Sequence, residues 1–248
     1  MTMTPLIHSE LRKLTSTKMP LAFLGVLVVI AAINALAVIA GTDMDGSKAF
    51  IATAVDQQSL MAFAGNAFMG AGLFGAIAVA REYGHHTVVP TFLASPRRHR
   101  AVVAQLTAVA AVGGVLSLVG AALIVSAVGL SLPATEYGFL VSIENVLRVI
   151  TASGFAGAAG AVLGAGIGAV VRNVGGAVTV TVLALIIAPP LIGQLSNATA
   201  SWMPSVLANV VSGVGNDVGQ LAALAAIAAW AAVPAVIGLI AVQRRDIV

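Results

Sequence analysis

Glu82, His85, His86 and His99 form the densest group of titratable side chains, all within REYGHHTVVPTFLASPRRHR, residues 81–100. Histidine beside a carboxylate could hold a metal ion or move protons. Adjacent histidines do not share a helix face, however, so His85 and His86 are poorly placed to close on one ion. Solvated loop histidines fit better, and no metal site is expected. Other chemistry is missing too. Lys13, Lys18 and Lys48 follow Arg12, Thr17 and Ser47, so no Gly-Lys-Ser/Thr of a phosphate-binding loop occurs. Serine-hydrolase elbows and zinc-protease His-Glu motifs are absent. There is no cysteine, which removes thiol nucleophiles, disulfides and cysteine-ligated metals. The chain is expected to be no enzyme and to bind no cofactor itself.

The elements around this stretch are strongly apolar. The sequence is 59% hydrophobic and 8% charged, with a mean hydropathy of +1.04. A bilayer core of about 30 Å needs roughly 20 apolar residues in a helix. Six segments meet that test, near residues 19–41, 58–80, 101–130, 146–171, 174–195 and 219–242. Alternating segments of about 10 residues, which a membrane barrel would need, do not occur. The expected fold is all-α, a single polytopic domain over residues 1–248 with six transmembrane helices. Arg12, Lys13 and Lys18 before an apolar run ending near Ala35-Leu36-Ala37 imitate a secretory signal. The run continues to Gly41, a full span, so it is expected to stay as the first membrane helix.

Charge assigns sides. Ten cations (Arg12, Lys13, Lys18, Arg81, Arg97, Arg98, Arg100, Arg172, Arg244 and Arg245) fall on one side of these spans. Only Lys48 and Arg148 fall on the other, with Asp43, Asp45, Asp56, Glu136, Glu144 and Asp217. The positive-inside rule makes the first side cytoplasmic, with both termini and residues 81–100. A plasma-membrane protein, such as one of a bacterial inner membrane, is expected. The basic balance then reports topology and anionic lipids rather than nucleic acid.

Within this frame, residues 5–18 place Ile7, Leu11 and Leu14 on one helical face, with Glu10, Arg12 and Lys13 away from it. That is the pattern of a helix lying in the interface plane. Gln58 and Asn66 in the second span, and Asn34 in the first, face either a path through the bundle or a neighbouring helix. Gly160, Gly164 and Gly168, with Ala156, make a small-residue packing face on the fourth span. Glu144 and Arg148 stand one turn apart in the order that favours an ion pair. The fifth span is expected to end at Pro189-Pro190. Residues 191–218 are too apolar for a free loop and too broken for a span. They read as two short re-entrant outer helices, with Trp202 near the interface. Asn197-Ala198-Thr199 matches a glycosylation acceptor that occurs often by chance.

The stretch 81–100 itself is a loop with an apolar helix inside it. Glu82-Tyr83-Gly84 breaks the second span, Thr87 can cap a short helix, and Pro90 falls in its first turn. Val88, Val89, Phe92 and Leu93 are its apolar side chains; Ser95-Pro96 ends it, and Arg97, Arg98 and Arg100 follow. An apolar helix with a basic rim reads either as a docking surface or as an anchor dipping into lipid.

These residues resemble the small six-helix permease subunits of bacterial ATP-binding-cassette exporters, the type-2 class. The carriers are Glu82, Thr87, Phe92-Leu93 and Pro96 with Arg97-Arg98, the opening SELRKLTST, the broken outer helices and the ending QRRDIV. His86 stands where that family often has glycine, and Gln105 where lysine is common. The resemblance covers nearly the whole chain. It implies that residues 5–18 are a connecting helix and 82–98 a coupling helix seated in a groove of a separate ATPase subunit. Glu82, Tyr83, Thr87, Phe92, Leu93, Pro96, Arg97 and Arg98 would make that joint. The second and fifth spans would line the substrate path, at Met61, Phe63, Asn66, Phe68, Met69, Thr179 and Thr181. The implied partners are the ATPase, which carries ATP and Mg, a second permease copy or paralogue, and membrane lipids. A hydrophobic or amphipathic substrate would suit the Phe and Met side chains, although most of those could simply pack against other helices. Two other readings stay open: a stand-alone secondary transporter or channel, and a membrane anchor that recruits a cytosolic partner.

Overall fold

The computed structural model describes residues 3–64, 67–84, 98–215 and 218–244. Its regular structure is helical, with no strand among the described residues. The helices are α1 (Met3–Thr15), α2 (Met19–Ala40), α3 (Ala54–Ala64), α4 (Ala67–Gly84), α5 (Arg98–Ser131) and α6 (Ile143–Val171). They continue with α7 (Val174–Val182), α8 (Ala188–Leu195), α9 (Asn197–Ala200), α10 (Pro204–Val211) and α11 (Gln220–Arg244). Six helical stretches are long and apolar enough to cross a membrane, counting α3 with α4 and α7 with α8. The chain is a multi-pass membrane protein.

α6 is the hub. Of its apolar window 67% is buried, against 11% for α2, so α6 is central and α2 peripheral. Apolar burial does little to join helices that already sit in hydrocarbon; close van der Waals packing does the joining, and small residues allow it. A Cβ on Gly164 would overlap the Gly72 carbonyl, and one on Gly160 the Phe68 carbonyl, so α4 and α6 run backbone to backbone. The spacing of Gly160, Gly164 and Gly168 is read directly in this contact. Two further faces complete the hub. Gly166 lies against the backbone at Pro234 of α11, and Gly154 and Gly157 against Leu118 and Ser117 of α5.

α5, at 34 residues, is about 51 Å long at 1.5 Å per residue, well beyond a bilayer core. α1 packs along its Arg-rich end, with Leu11 and Leu14 in one cluster with Val102 and Leu106. Glu10 was expected on the opposite side of α1. It stands one turn from Leu14 and is buried with it, where the Lys13 ammonium compensates its charge.

Two other expectations change. The fifth span does not stop at Pro189-Pro190: a π-helical turn at Leu183–Ile187 carries it on to Leu195. Prolines lack an N–H to return to the preceding turn. A wider turn re-registers the ladder, here through the Ala188 N–H to the Leu183 carbonyl. Nor do Glu144 and Arg148 form an ion pair among the described residues. Arg148 turns inward, and its Nε donates to the Val211 carbonyl at the end of α10 (3.3 Å).

That bond belongs to a polar lining at the acidic end of the bundle. Gln58 donates to the neighbouring Ser212 carbonyl (2.8 Å). Gln57, fully buried, donates to the Ile51 and Gly138 carbonyls (3.1 and 2.9 Å) and accepts the Leu140 N–H (2.9 Å). Lys48 donates to the carbonyls of Val38 (3.0 Å) and Ile39 in the last turn of α2. The two cations that break the charge asymmetry, Lys48 and Arg148, thus each sit on a helix C-terminus, where the aligned peptide dipoles favour positive charge. Thr53 and Asp56 cap α3 reciprocally: Asp56 Oδ2 accepts the Thr53 N–H (3.1 Å) and Thr53 Oγ1 the Asp56 N–H (3.2 Å). In the turn before it, the Ser47 N–H donates to Asp45 (2.9 Å) and holds that carboxyl below the usual range.

Candidate functional site

The sequence places its candidate joint at residues 82–98, and the structure describes where that stretch leaves and re-enters the bundle. Thr87, Phe92, Leu93, Pro96 and Arg97 lie outside the described residues, as do His85 and His86. Arg98 begins α5. Glu82 and Tyr83 close α4, and each is gripped from a different side.

Glu82 is held from α1. Lys13 Nζ lies 2.6 Å from Glu10 Oε1 and 3.5 Å from Glu82 Oε1. Gln105 of α5 also hydrogen-bonds Glu82. The two carboxylates have only 5% and 12% of their side chains exposed, and Lys13 36%. A lysine bridging two enclosed carboxylates is a buried ionic clamp rather than a surface pair, and removing its centre leaves uncompensated charge. It joins three elements: α1, the end of α4 and the start of α5.

Tyr83 is held from the α6–α7 turn. Arg172 ends α6 in the left-handed conformation, with φ of 61°, a backbone region that costs a non-glycine residue about 1–2 kcal/mol. Asn173 follows and caps α7 by accepting the Gly176 N–H (2.7 Å). The Arg172 guanidinium lies 5.2 Å from the Tyr83 ring centroid and donates to the Ala241 carbonyl near the end of α11 (3.3 Å). Stacking on an aromatic face and a helix C-terminus both suit a guanidinium, and these contacts offset the cost of the turn. Among the described residues the buried Tyr83 hydroxyl and Arg172 Nε have no hydrogen-bond partner, an uncommon condition in native interiors.

The candidate path residues do not share one surface. Met61 and Phe68 are buried in separate clusters, and Met61 has 1% and Phe68 none of its surface exposed. Thr181 is buried and back-bonds Ala177 (2.8 Å), packed with Leu185 against Gly72. Thr179 is exposed and back-bonds Gly175 (2.9 Å). Asn66 and the Phe63 side chain lie outside the described residues. Asn34 satisfies itself on the Ile30 carbonyl of its own helix (2.8 Å), so it needs neither a path nor a neighbour. Met69 is different: it lines a cavity of about 310 Å³ between α2, α4 and α5, with Leu27, Ile30, Phe74, Leu116 and Ile124 among its walls.

Sequence reasoning named Glu82 and Tyr83 as candidates but did not pair them with Glu10, Lys13 and Arg172. A signal was present for Glu10: it falls four residues before Leu14, on the packed face. Among the described residues no group of three His, Cys, Asp or Glu side chains is placed to hold a metal ion. Compared with known proteins, the chain matches no protein-family model and no curated protein.

Proposed function

We propose that this chain is the transmembrane permease subunit of an ATP-driven exporter of the type-2 cassette class, working with a separate ATPase and a second permease. The observation that carries the reading is the double grip on Glu82 and Tyr83. Force applied to the following segment, residues 85–97, would reach α1 and α5 through Lys13 and Gln105, and α6, α7 and α11 through Arg172. A root held this firmly suits a lever and is unneeded in a slack surface loop. In this reading the Arg-rich end is cytoplasmic and α1 lies in the interface plane as a connecting helix. The outer helices α9 and α10 dip partway into the far leaflet. ATP binding closes the ATPase pair, and the lever shifts the bundle between inward-open and outward-open populations. Hydrophobic or amphipathic molecules are the class of substrate.

The test is substitution at the centre of the lever. Phe92→Asp and Leu93→Asp place a charge on its apolar face. In proteoliposomes holding the permease with its ATPase, each is expected to cut export about tenfold or more while membrane insertion and ATP hydrolysis continue. Unaltered coupling in both variants contradicts the proposal. Flux by the purified chain without ATP would instead favour a stand-alone transporter.

A further inference from the structure

The cavity between α2, α4 and α5 is a built space rather than a packing defect. α2 leans on α5, with Leu27 set against Gly120, while its side toward α4 is left open around Gly70 and Met69. Phe23 and Phe74 meet edge to face, ring centroids 5.4 Å apart, and close one end. Val26 and Gly70 are exposed at the rim. The volume of about 310 Å³ matches the small end of ligand pockets, about 300–1,000 Å³. Among the described residues no charged side chain lines it, and the Ser117 hydroxyl is the one polar side-chain group.

Empty space of this size forfeits dispersion contacts along all its walls, and an apolar cavity does not recruit water to fill it. Its rim lies mid-helix on two membrane spans, where the surrounding medium is hydrocarbon. We infer that this cleft is a binding site for one unbranched hydrocarbon chain, entering sideways from the bilayer between α2 and α4. Aliphatic walls and the Phe23–Phe74 floor recognise methylenes, and the absence of lining charge excludes a headgroup from the cleft. The chain belongs either to a bilayer phospholipid or to a single-tailed amphiphile. The inference stands whether or not the protein is driven by ATP.

Gly70 supplies the test. Gly70 lines the cleft at its rim and a Cβ there meets nothing within 4 Å among the described residues, so Gly70→Leu narrows the mouth without displacing backbone, and Gly70→Ala narrows it less. Gly25, exposed on α2 outside the cleft, is equally open, and Gly25→Leu is the control. Purified protein in phosphatidylcholine nanodiscs is irradiated with a mid-chain diazirine, carried in one arm on phosphatidylcholine and in the other on a long-chain alcohol. Adducts are located by peptide mass spectrometry. Labelling is expected to concentrate on residues 67–74 and 116–124, falling about tenfold in Gly70→Leu and less in Gly70→Ala, with no change in Gly25→Leu. The arm that labels identifies the source of the chain. Labelling spread evenly over lipid-facing positions such as Val236 and Ile237, or unchanged in both Gly70 variants, overturns the inference.

Discussion

Lys13 reaches two carboxylates at once, and the side chains of Glu10 and Glu82 are largely enclosed. Lys13→Met therefore removes the cation shared by two enclosed carboxylates that repel each other. A stability loss of about 2–4 kcal/mol is expected, read as a lower melting temperature in detergent. Adding Glu10→Gln and Glu82→Gln to that variant is expected to recover most of the loss, because neutral amides remove the repulsion. If Lys13→Met melts with the parent protein, the clamp carries no weight. Arg148 poses the same question at the opposite end. Arg148→Met leaves the Val211 carbonyl without its donor, at a cost of about 1–2 kcal/mol. Faster amide exchange is expected to be confined to residues 204–215, and exchange unchanged there would refute the capping role. Little of this was legible in the sequence. The Glu144–Arg148 spacing satisfies the rule for an ion pair within one helix, yet Arg148 lies beside helix α10, whose terminal carbonyls cannot be inferred from a four-residue interval. Glu10 was read as lying off the apolar stripe and is buried instead, although its four-residue interval to Leu14 fits the packed face.

At the level of helices, glycine means different things at different positions. Gly164 is pressed on the Gly72 carbonyl while Gly70, two residues away from Gly72, faces open space. Gly164→Leu is thus expected to force α4 and α6 apart, with a loss of about 3 kcal/mol or more. Gly70→Leu should leave the melting temperature level or raise it by removing a flexible residue from a helix. Equal melting behaviour of the two variants would contradict the packing described. The four-residue glycine row on α6 was readable because a packing face repeats with the helix. The two other glycine faces, and the cleft beside Gly70, depend on which helices lie opposite, and one sequence does not say. Pro189-Pro190 was misread as a stop for a related reason. Whether two missing N–H groups end a helix or only widen one turn depends on the packing that holds the rest in place, here Thr181 and Leu185 against Gly72.

For the molecule as a whole, the six spans and their order were legible from continuous apolar runs, since a bilayer imposes a length that composition alone can reveal. The charge asymmetry was legible as well, and its two exceptions, Lys48 and Arg148, are accounted for by the helix ends they cap. Orientation follows as an expectation that the absence of cysteine makes simple to check. A single cysteine at Met44, fully exposed at the acidic end, is expected to react with an impermeant maleimide in intact cells. One at Thr4 should react only after lysis, and the reverse pattern would invert the topology. The central claim is that a nucleotide-hydrolysing partner grips the segment between α4 and α5. Phe92→Cys bearing a photoactivatable cross-linker, irradiated in native membranes, measures this most directly. The account predicts one dominant adduct, to a protein whose sequence carries a phosphate-binding loop and whose cross-linking yield changes on adding ATP. Adducts to lipid alone, or to no nucleotide-binding protein, would contradict it.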